Sequence, residues 1–206
     1  DGNLLAVGAL GDDDLVNGST DKGAVYLYSF TGDFTNITED AIIGAGYTGG
    51  NNLNIAMIGN EDKFGRSVAL DGSHIAVGAS GDDGGGTFLK NTGAVYLFSY
   101  TGDFTNITQE AVIGREYTGG NNFAISLDES DQFGTSVSLD GGHIAIGAPL
   151  DDDGNTNATT SVGAVHLFSY TGDFTNITKE ATIGKGYSGG KNLDNSNLEA
   201  FDFFGN

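Results

Sequence analysis

The octapeptide Thr-Gly-Asp-Phe-Thr-Asn-Ile-Thr occurs three times, at Thr31 to Thr38, Thr101 to Thr108 and Thr171 to Thr178, at an even spacing of 70 residues. Repetition of this kind constrains the fold strongly. Each copy is one supersecondary unit that buries its apolar faces only by stacking on its neighbours. Other landmarks keep that step to within one residue. Gly-Ala-Val begins at Gly23, Gly93 and Gly163, aromatic-[Thr/Ser]-Gly-Gly at Tyr47, Tyr117 and Tyr187, and Phe-Gly at Phe64, Phe133 and Phe204. The chain divides into units at 1–63, 64–132 and 133–203, with 204–206 opening a fourth.

The second unit predicts four strands. The first, Phe64 to Leu70, leads through the tight-turn dipeptide Asp71-Gly72 into the second, Ser73 to Ala79. A long polar loop precedes Gly93 to Tyr100, and Thr101-Gly102-Asp103 turns the chain into Phe104 to Ile113. In Val95-Tyr96-Leu97-Phe98 odd and even positions are both apolar, so both faces must be covered. The fourth strand carries Asn106, Thr108, Gln109 and Glu110, which suits an exposed outer edge. Four antiparallel strands covered on both faces describe an all-β fold of β-propeller blades. Asp1-Gly2 matches Asp71-Gly72, so the first unit lacks its first strand. Three units fall short of the roughly four blades that a closed ring needs. The expectation is an excerpt of a larger propeller, or a ring completed by other chains.

Composition excludes several functions. Twenty-eight acidic residues against eight basic ones give a net charge of −20, which removes nucleic acid as a partner. With no cysteine there is neither a disulfide framework nor a zinc-thiolate site. No apolar run approaches a membrane span, so no membrane insertion is expected.

Phe-Gly opens one strand and Gly147-Ala148-Pro149 ends the next, with Gly8-Ala9-Leu10 and Gly78-Ala79-Ser80 as variants. In these features the whole chain resembles the FG-GAP repeats of integrin α-subunit propellers, in their bacterial secreted or surface-protein branch. The resemblance implies an extracellular or cell-surface location and a binding rather than catalytic role. It also implies Ca2+, which related propellers hold between the first and second strands in a D-x-[DN]-x-D-G-x-x-D loop. Here that connection has shrunk to Leu70-Asp71-Gly72-Ser73 and Leu139-Asp140-Gly141-Gly142, so those ligands cannot be carried over.

The acidic residues collect instead between the second and third strands: Asp12, Asp13 and Asp14; Asp82 and Asp83; Asp151, Asp152 and Asp153, with Asn155 beyond. Clustered carboxylates on a glycine-rich loop are suitable oxygen donors for calcium. The same residues also suit turn bonds to backbone amides. These loops are where the units diverge, over 15–22, 84–92 and 154–162, as binding loops on a rigid scaffold do. Asn36, Asn106 and Asn176, with Asn17 and Asn157, head Asn-x-Ser/Thr acceptor sequons for glycosylation.

Enzyme motifs fail. Gly44-x-Gly46-x-x-Gly49 and Gly184-x-Gly186-x-x-Gly189 match a dinucleotide string, but no helical pattern follows and Glu116 replaces the middle glycine of the second unit. His74 and His143 sit at equivalent hairpin positions and His166 replaces Tyr26 and Tyr96, with no nucleophile or paired-carboxylate pattern around them. The expected function is therefore an extracellular adhesion or ligand-binding segment that takes a protein or glycan ligand. A self-associating structural spacer or filament and a sugar-binding lectin are the alternatives.

Overall fold

The computed structural model describes residues 1–13, 20–86, 89–152 and 161–206. Three sheets form the chain. The first comprises β1 (Leu4–Ala9), β2 (Ala24–Thr31), β3 (Thr35–Gly44) and β4 (Leu53–Asn54). The second comprises β5 (Phe64–Asp71), β6 (His74–Ala79), β7 (Ala94–Thr101), β8 (Thr105–Gly114) and β9 (Phe123–Ala124). The third repeats this with β10 (Ser136–Asp140), β11 (His143–Ala148), β12 (Ala164–Thr171), β13 (Thr175–Gly184) and β14 (Leu193–Asp194). The first sheet, with four strands, has no counterpart of β5 and β10.

Strand order follows chain order in each sheet, an antiparallel meander with one addition. A short fifth strand runs parallel to the fourth, pairing Ile43 with Leu53, Ile113 with Phe123 and Ile183 with Leu193. Two residues give no period-2 pattern, so this strand was invisible to pattern reading. It covers the second half of the fourth strand. Ala111 to Gly114 are consequently buried, and only the first half of β8 faces solvent. At the hairpin, pairing continues through Asp71 to His74, which moves the turn one residue on, to Gly72-Ser73. Gly72 takes the left-handed φ of +56° that this tight connection demands.

The core lies between sheets. Val25, Leu27 and Ile43 of the first unit pack on Ile75, Val77, Phe98 and Phe104 of the second. Val95, Leu97 and Ile113 then pack on Ile144, Ile146, Phe168 and Phe174 of the third. The Phe-Gly and Gly-Ala landmarks meet across these same interfaces. A Cβ on Gly8 would overlap the carbonyl oxygen of Gly65, one on Gly78 that of Gly134, and one on Gly147 that of Gly205. Only glycine permits such close backbone approach. Phe64 is fully buried beside Tyr96 and Phe98, edge to face at 5.4 and 6.2 Å. Ser67 Oγ donates to the Gly134 carbonyl and Ser136 Oγ to that of Gly205, each at 2.8 Å, stitching one unit to the next. The sheets are those of propeller blades, and they do not close a ring.

Candidate binding face

Asp12, Asp82 and Asp151 stand at the start of the loop that follows the second strand of each unit. Asp82 is 2 % exposed and accepts from every side. The Gly84 amide donates to Oδ1 at 2.7 Å, the Tyr96 hydroxyl to Oδ2 at 2.7 Å, and the Tyr117 hydroxyl to both oxygens at 3.0 and 2.9 Å. In the first unit Tyr26 and Tyr47 hold Asp12 in the same way, at 2.7 and 2.9 Å. Tyr47, Tyr117 and Tyr187 belong to the aromatic-[Thr/Ser]-Gly-Gly step, so the carboxylate ties the acidic loop to the connection between units. Both therefore lie on the same face.

In the third unit His166 takes the tyrosine's place. Its Nε2 lies 3.1 Å from Asp151 Oδ2 and its Nδ1 3.2 Å from Thr182 Oγ1, while Tyr187 donates to Asp151 at 2.7 Å. Burial holds the imidazole below its ordinary pKa. The neutral ring then donates from Nε2 to the carboxylate and accepts the threonine hydroxyl at Nδ1. Cross-strand register explains the companion change. His166 pairs with Thr182, where Tyr26 pairs with Ile42 and Tyr96 with Val112. A tyrosine needs no partner at that position; a histidine does.

The second acidic position staples the loop. Asp13 Oδ1 accepts the Asp21 amide at 2.7 Å and Asp83 Oδ1 the Asn91 amide at 2.9 Å, and both donors have left-handed φ. The loop ends are then pinned to the strand entering the next unit. Glu61 N donates to Thr20 O at 2.8 Å, Ser130 N to Lys90 O at 2.9 Å and Phe201 N to Ser161 O at 2.9 Å.

Reading by motif missed a further carboxylate. Asp62 and Asp131 stand two residues before each Phe-Gly and are 7 % and 5 % exposed. They cap their own turns, accepting Gly59 N at 2.6 Å and Asp128 N at 2.7 Å. Burial first, and then the facing charge of Asp82 or Asp151, pushes each carboxyl up to about 7. The signal was present in the repeat as Asp-x-Phe-Gly, which recurs at Asp62, Asp131 and Asp202. A cavity of about 180 Å³ opens beside the second of these pairs, lined by Asp131, Asp151, Asp152, His166, Lys179 and Tyr187.

The expected calcium ligands are thus divided. Asp12, Asp82 and Asp151 are hydrogen-bond hubs inside the units, and Asp13 and Asp83 brace turns. Calcium needs about six to eight oxygens converging on one centre. Among the described residues no group of three or more His, Asp or Glu side chains could hold a metal ion, so the described carboxylates do not fit a calcium site as arranged. Asp152 lines the cavity, while Asp14, Asp153 and Asn155 lie outside the described residues, as do Asn17 and Asn157. The remaining sequon asparagines have a structural use. Asn36, Asn106 and Asn176 adopt φ near +50° at a strand entry and donate to Thr31, Thr101 and Thr171 Oγ1 at 3.2, 3.0 and 3.1 Å. Asparagine tolerates that backbone better than other side chains do. Of the dinucleotide-like glycines, Gly44 and Gly184 end strands, while Gly46 and Gly49 are turn residues with φ of +79° and +85°.

A meander of four antiparallel strands, joined to its neighbour through a Phe-Gly carbonyl seated on a Gly-Ala step, defines a propeller-type repeat. The FG-GAP repeat family model matches residues 59–98 and 126–168, which span β5, β6 and the first part of β7, and β10, β11 and the first part of β12, so these two segments match FG-GAP repeats. No curated protein sequence matches the chain. FG-GAP propellers are structural and binding scaffolds, typically of extracellular or surface-exposed proteins, and often bind calcium. Among the described residues no helix is long and apolar enough to cross a membrane.

Proposed function

We propose that this chain is a non-enzymatic, extracellular ligand-binding propeller segment. Its contact surface is the face where the acidic loops meet the connections between units, and its ligand is a protein or glycan at a cell surface or in the matrix. One observation carries the reading. The three loops after the second strand differ from one another, yet each is pinned at its base by the same Asp–Tyr pair and the same staples to the following unit. A rigid, repeated base under non-repeated loops is how binding surfaces are built.

Calcium enters this reading only through Asp14, Asp153 and Asn155, which lie outside the described residues. The tyrosine-bonded carboxylates Asp12, Asp82 and Asp151 would then anchor the start of each loop. The test is binding of the chain to arrayed glycans and immobilised matrix proteins, with calcium and with chelator. Exchange of Thr87, Phe88 and Leu89 for glycine and serine should remove binding while leaving the melting temperature within a few degrees, because the staples at Asp83, Lys90 and Asn91 and the buried Thr92 are kept. Absence of binding to either class under both conditions would sink the proposal. An unchanged melt on chelation would remove calcium alone.

A further inference from the structure

One turn recurs at both internal junctions and holds two acidic loops at once. Residues 59–63 lead from the first unit into the second, and residues 128–132 from the second into the third. On one side each turn pins the end of the loop behind it. Glu61 and Lys63 donate their amides to Thr20 O and Asp21 O at 2.8 and 3.0 Å. Ser130 and Gln132 donate theirs to Lys90 O and Asn91 O at 2.9 and 3.2 Å. On the other side the turn meets the start of the loop ahead. The Gly81 amide donates to the Asp62 carbonyl at 3.0 Å, and the Leu150 amide to that of Asp131 at 3.4 Å. A Cβ on Gly81 would stand 1.9 Å from the Glu61 carbonyl oxygen, so the two backbones are in contact. Neither turn can shift without breaking bonds to both loops.

The turns are strained. Glu61 and Lys63 have φ of +65° and +57°, and Ser130 and Gln132 +72° and +55°, left-handed values that L side chains disfavour. Between each such pair stands the buried carboxyl, Asp62 or Asp131. Its Oδ2 accepts the turn's own amide, from Gly59 or Asp128, and its Oδ1 has no partner among the described residues. Asp62 lines a cavity of about 250 Å³ together with Asp82, Asp83 and Tyr117, and Asp131 lines the one of about 180 Å³. Asp62 is faced by Asp82 and Asp83 from the loop after β6 and by Lys22 from the loop before β2. Asp131 is faced by Asp151 and Asp152 from the loop after β11 and by Asp128 of its own turn. His166 of β12, Lys179 of β13 and Tyr187 complete that cavity. Asp82 and Asp151 are fixed in place by tyrosine hydroxyls. Burial and like charge therefore keep each turn carboxyl protonated up to about 7.

We propose that these two turns are latches that a proton keeps shut. While Asp62 or Asp131 is protonated, its turn holds the loop behind it and the loop ahead, and loss of the proton releases the turn and loosens both loops. The new charge faces a carboxylate that cannot retreat, so the strained turn is the part that yields. Relaxation of its left-handed residues favours release. The lost staples to Thr20 and Lys90 carry the change into the loops. β6 and β7 end outside the turns and keep their pairing. The latch is a local opening rather than an unfolding of the unit. It sets the mobility of the loop face and is independent of what that face binds.

The experiment is amide exchange by NMR on the full chain from about pH 5 to about pH 8.5, with the intrinsic rate divided out. Carboxyl carbon shifts, followed in parallel, should place Asp62 and Asp131 at about 7. Opening sheds one proton per latch. The opening equilibrium of Glu61, Lys63 and Gly81, and of Ser130 and Gln132, should therefore rise about tenfold per pH unit from about 5 to about 7 and level off above. Beyond that range these amides should be less protected than those of β6 and β7. Asp62→Asn keeps an acceptor for Gly59 and carries no charge. It should flatten the profile of the first turn and leave that of the second, and Asp131→Asn should do the converse. Each variant thus contains its own control, and the wild-type profile is decisive if one of them unfolds. Turn amides that match β7 in protection at every pH would open only with the whole chain, which overturns the latch. Carboxyls that titrate at about 4, or a tenfold slope that survives its own substitution, overturn it as well.

Discussion

Replacing Asp82 by alanine would remove the acceptor of the Gly84 amide and of the Tyr96 and Tyr117 hydroxyls; the hydroxyls stand 3.2 Å apart and one can donate to the other, so one hydroxyl and the amide are left unsatisfied. Unsatisfied buried donors cost about 1–3 kcal/mol each, so the loss should be about 3 kcal/mol or more, read as a lower urea midpoint. Asp82→Asn keeps one acceptor oxygen and should cost less. Asp62 and Asp131 predict the pH dependence. Each folded carboxyl titrates near 7 against 3.8 in the unfolded chain. Between those values the native state holds a proton that the unfolded state has lost, so the contribution to stability falls as pH rises through the window and is constant above it. Asp62→Asn and Asp131→Asn should remove that slope. Compared with wild type, each should gain on the order of 3 kcal/mol at pH 8 relative to pH 4. A difference profile flat with pH would contradict the burial of these carboxyls. The acidic loops were legible as clusters, but their use was not. The tyrosines that hold Asp82 lie 14 and 35 residues away, and only strand register brings them together.

At the scale of the element, the strands and their order could be read because each unit repeats its turns, its paired glycines and its doubly apolar third strand. The hidden element was the fifth strand, whose stability comes from two backbone pairs and an asparagine rather than from side-chain pattern. Asn52, Asn122 and Asn192 Oδ1 each accept an amide of the fourth strand at 2.8 Å, which fixes the returning chain beside it. The Phe-Gly and Gly-Ala steps carry the sharper consequence. A methyl group on Gly78 cannot be relieved by a side-chain rotation, because the obstacle is the Gly134 backbone. Gly78→Ala should therefore separate the second and third units, with a loss of about 3 kcal/mol or more, at the upper end of what overpacking costs. Ser67→Ala removes one interunit hydrogen bond and should cost about 1 kcal/mol. Glu116 runs the other way. It holds φ at +62° where the flanking units have Gly46 and Gly186 at +79° and +80°. Glu116→Gly should raise the melting temperature by relieving about 1 kcal/mol of backbone strain.

For the whole molecule, stability resides in contacts between neighbours rather than in any single sheet. Near-identical strands consequently have unequal protection, and the chain contains its own control. Val7 and Val77 occupy equivalent positions opposite Tyr26 and Tyr96, yet Val7 is 43 % exposed and Val77 is wholly buried. β1 is the edge strand of its sheet, whereas β6 lies between β5 and β7. Local opening is cheapest where few apolar contacts and unpaired edges coincide. Hydrogen exchange at low protein concentration should therefore find the β6 and β7 amides slowest, β11 and β12 next, and β1 fastest of the three second strands. Sequence similarity alone predicts no difference between them.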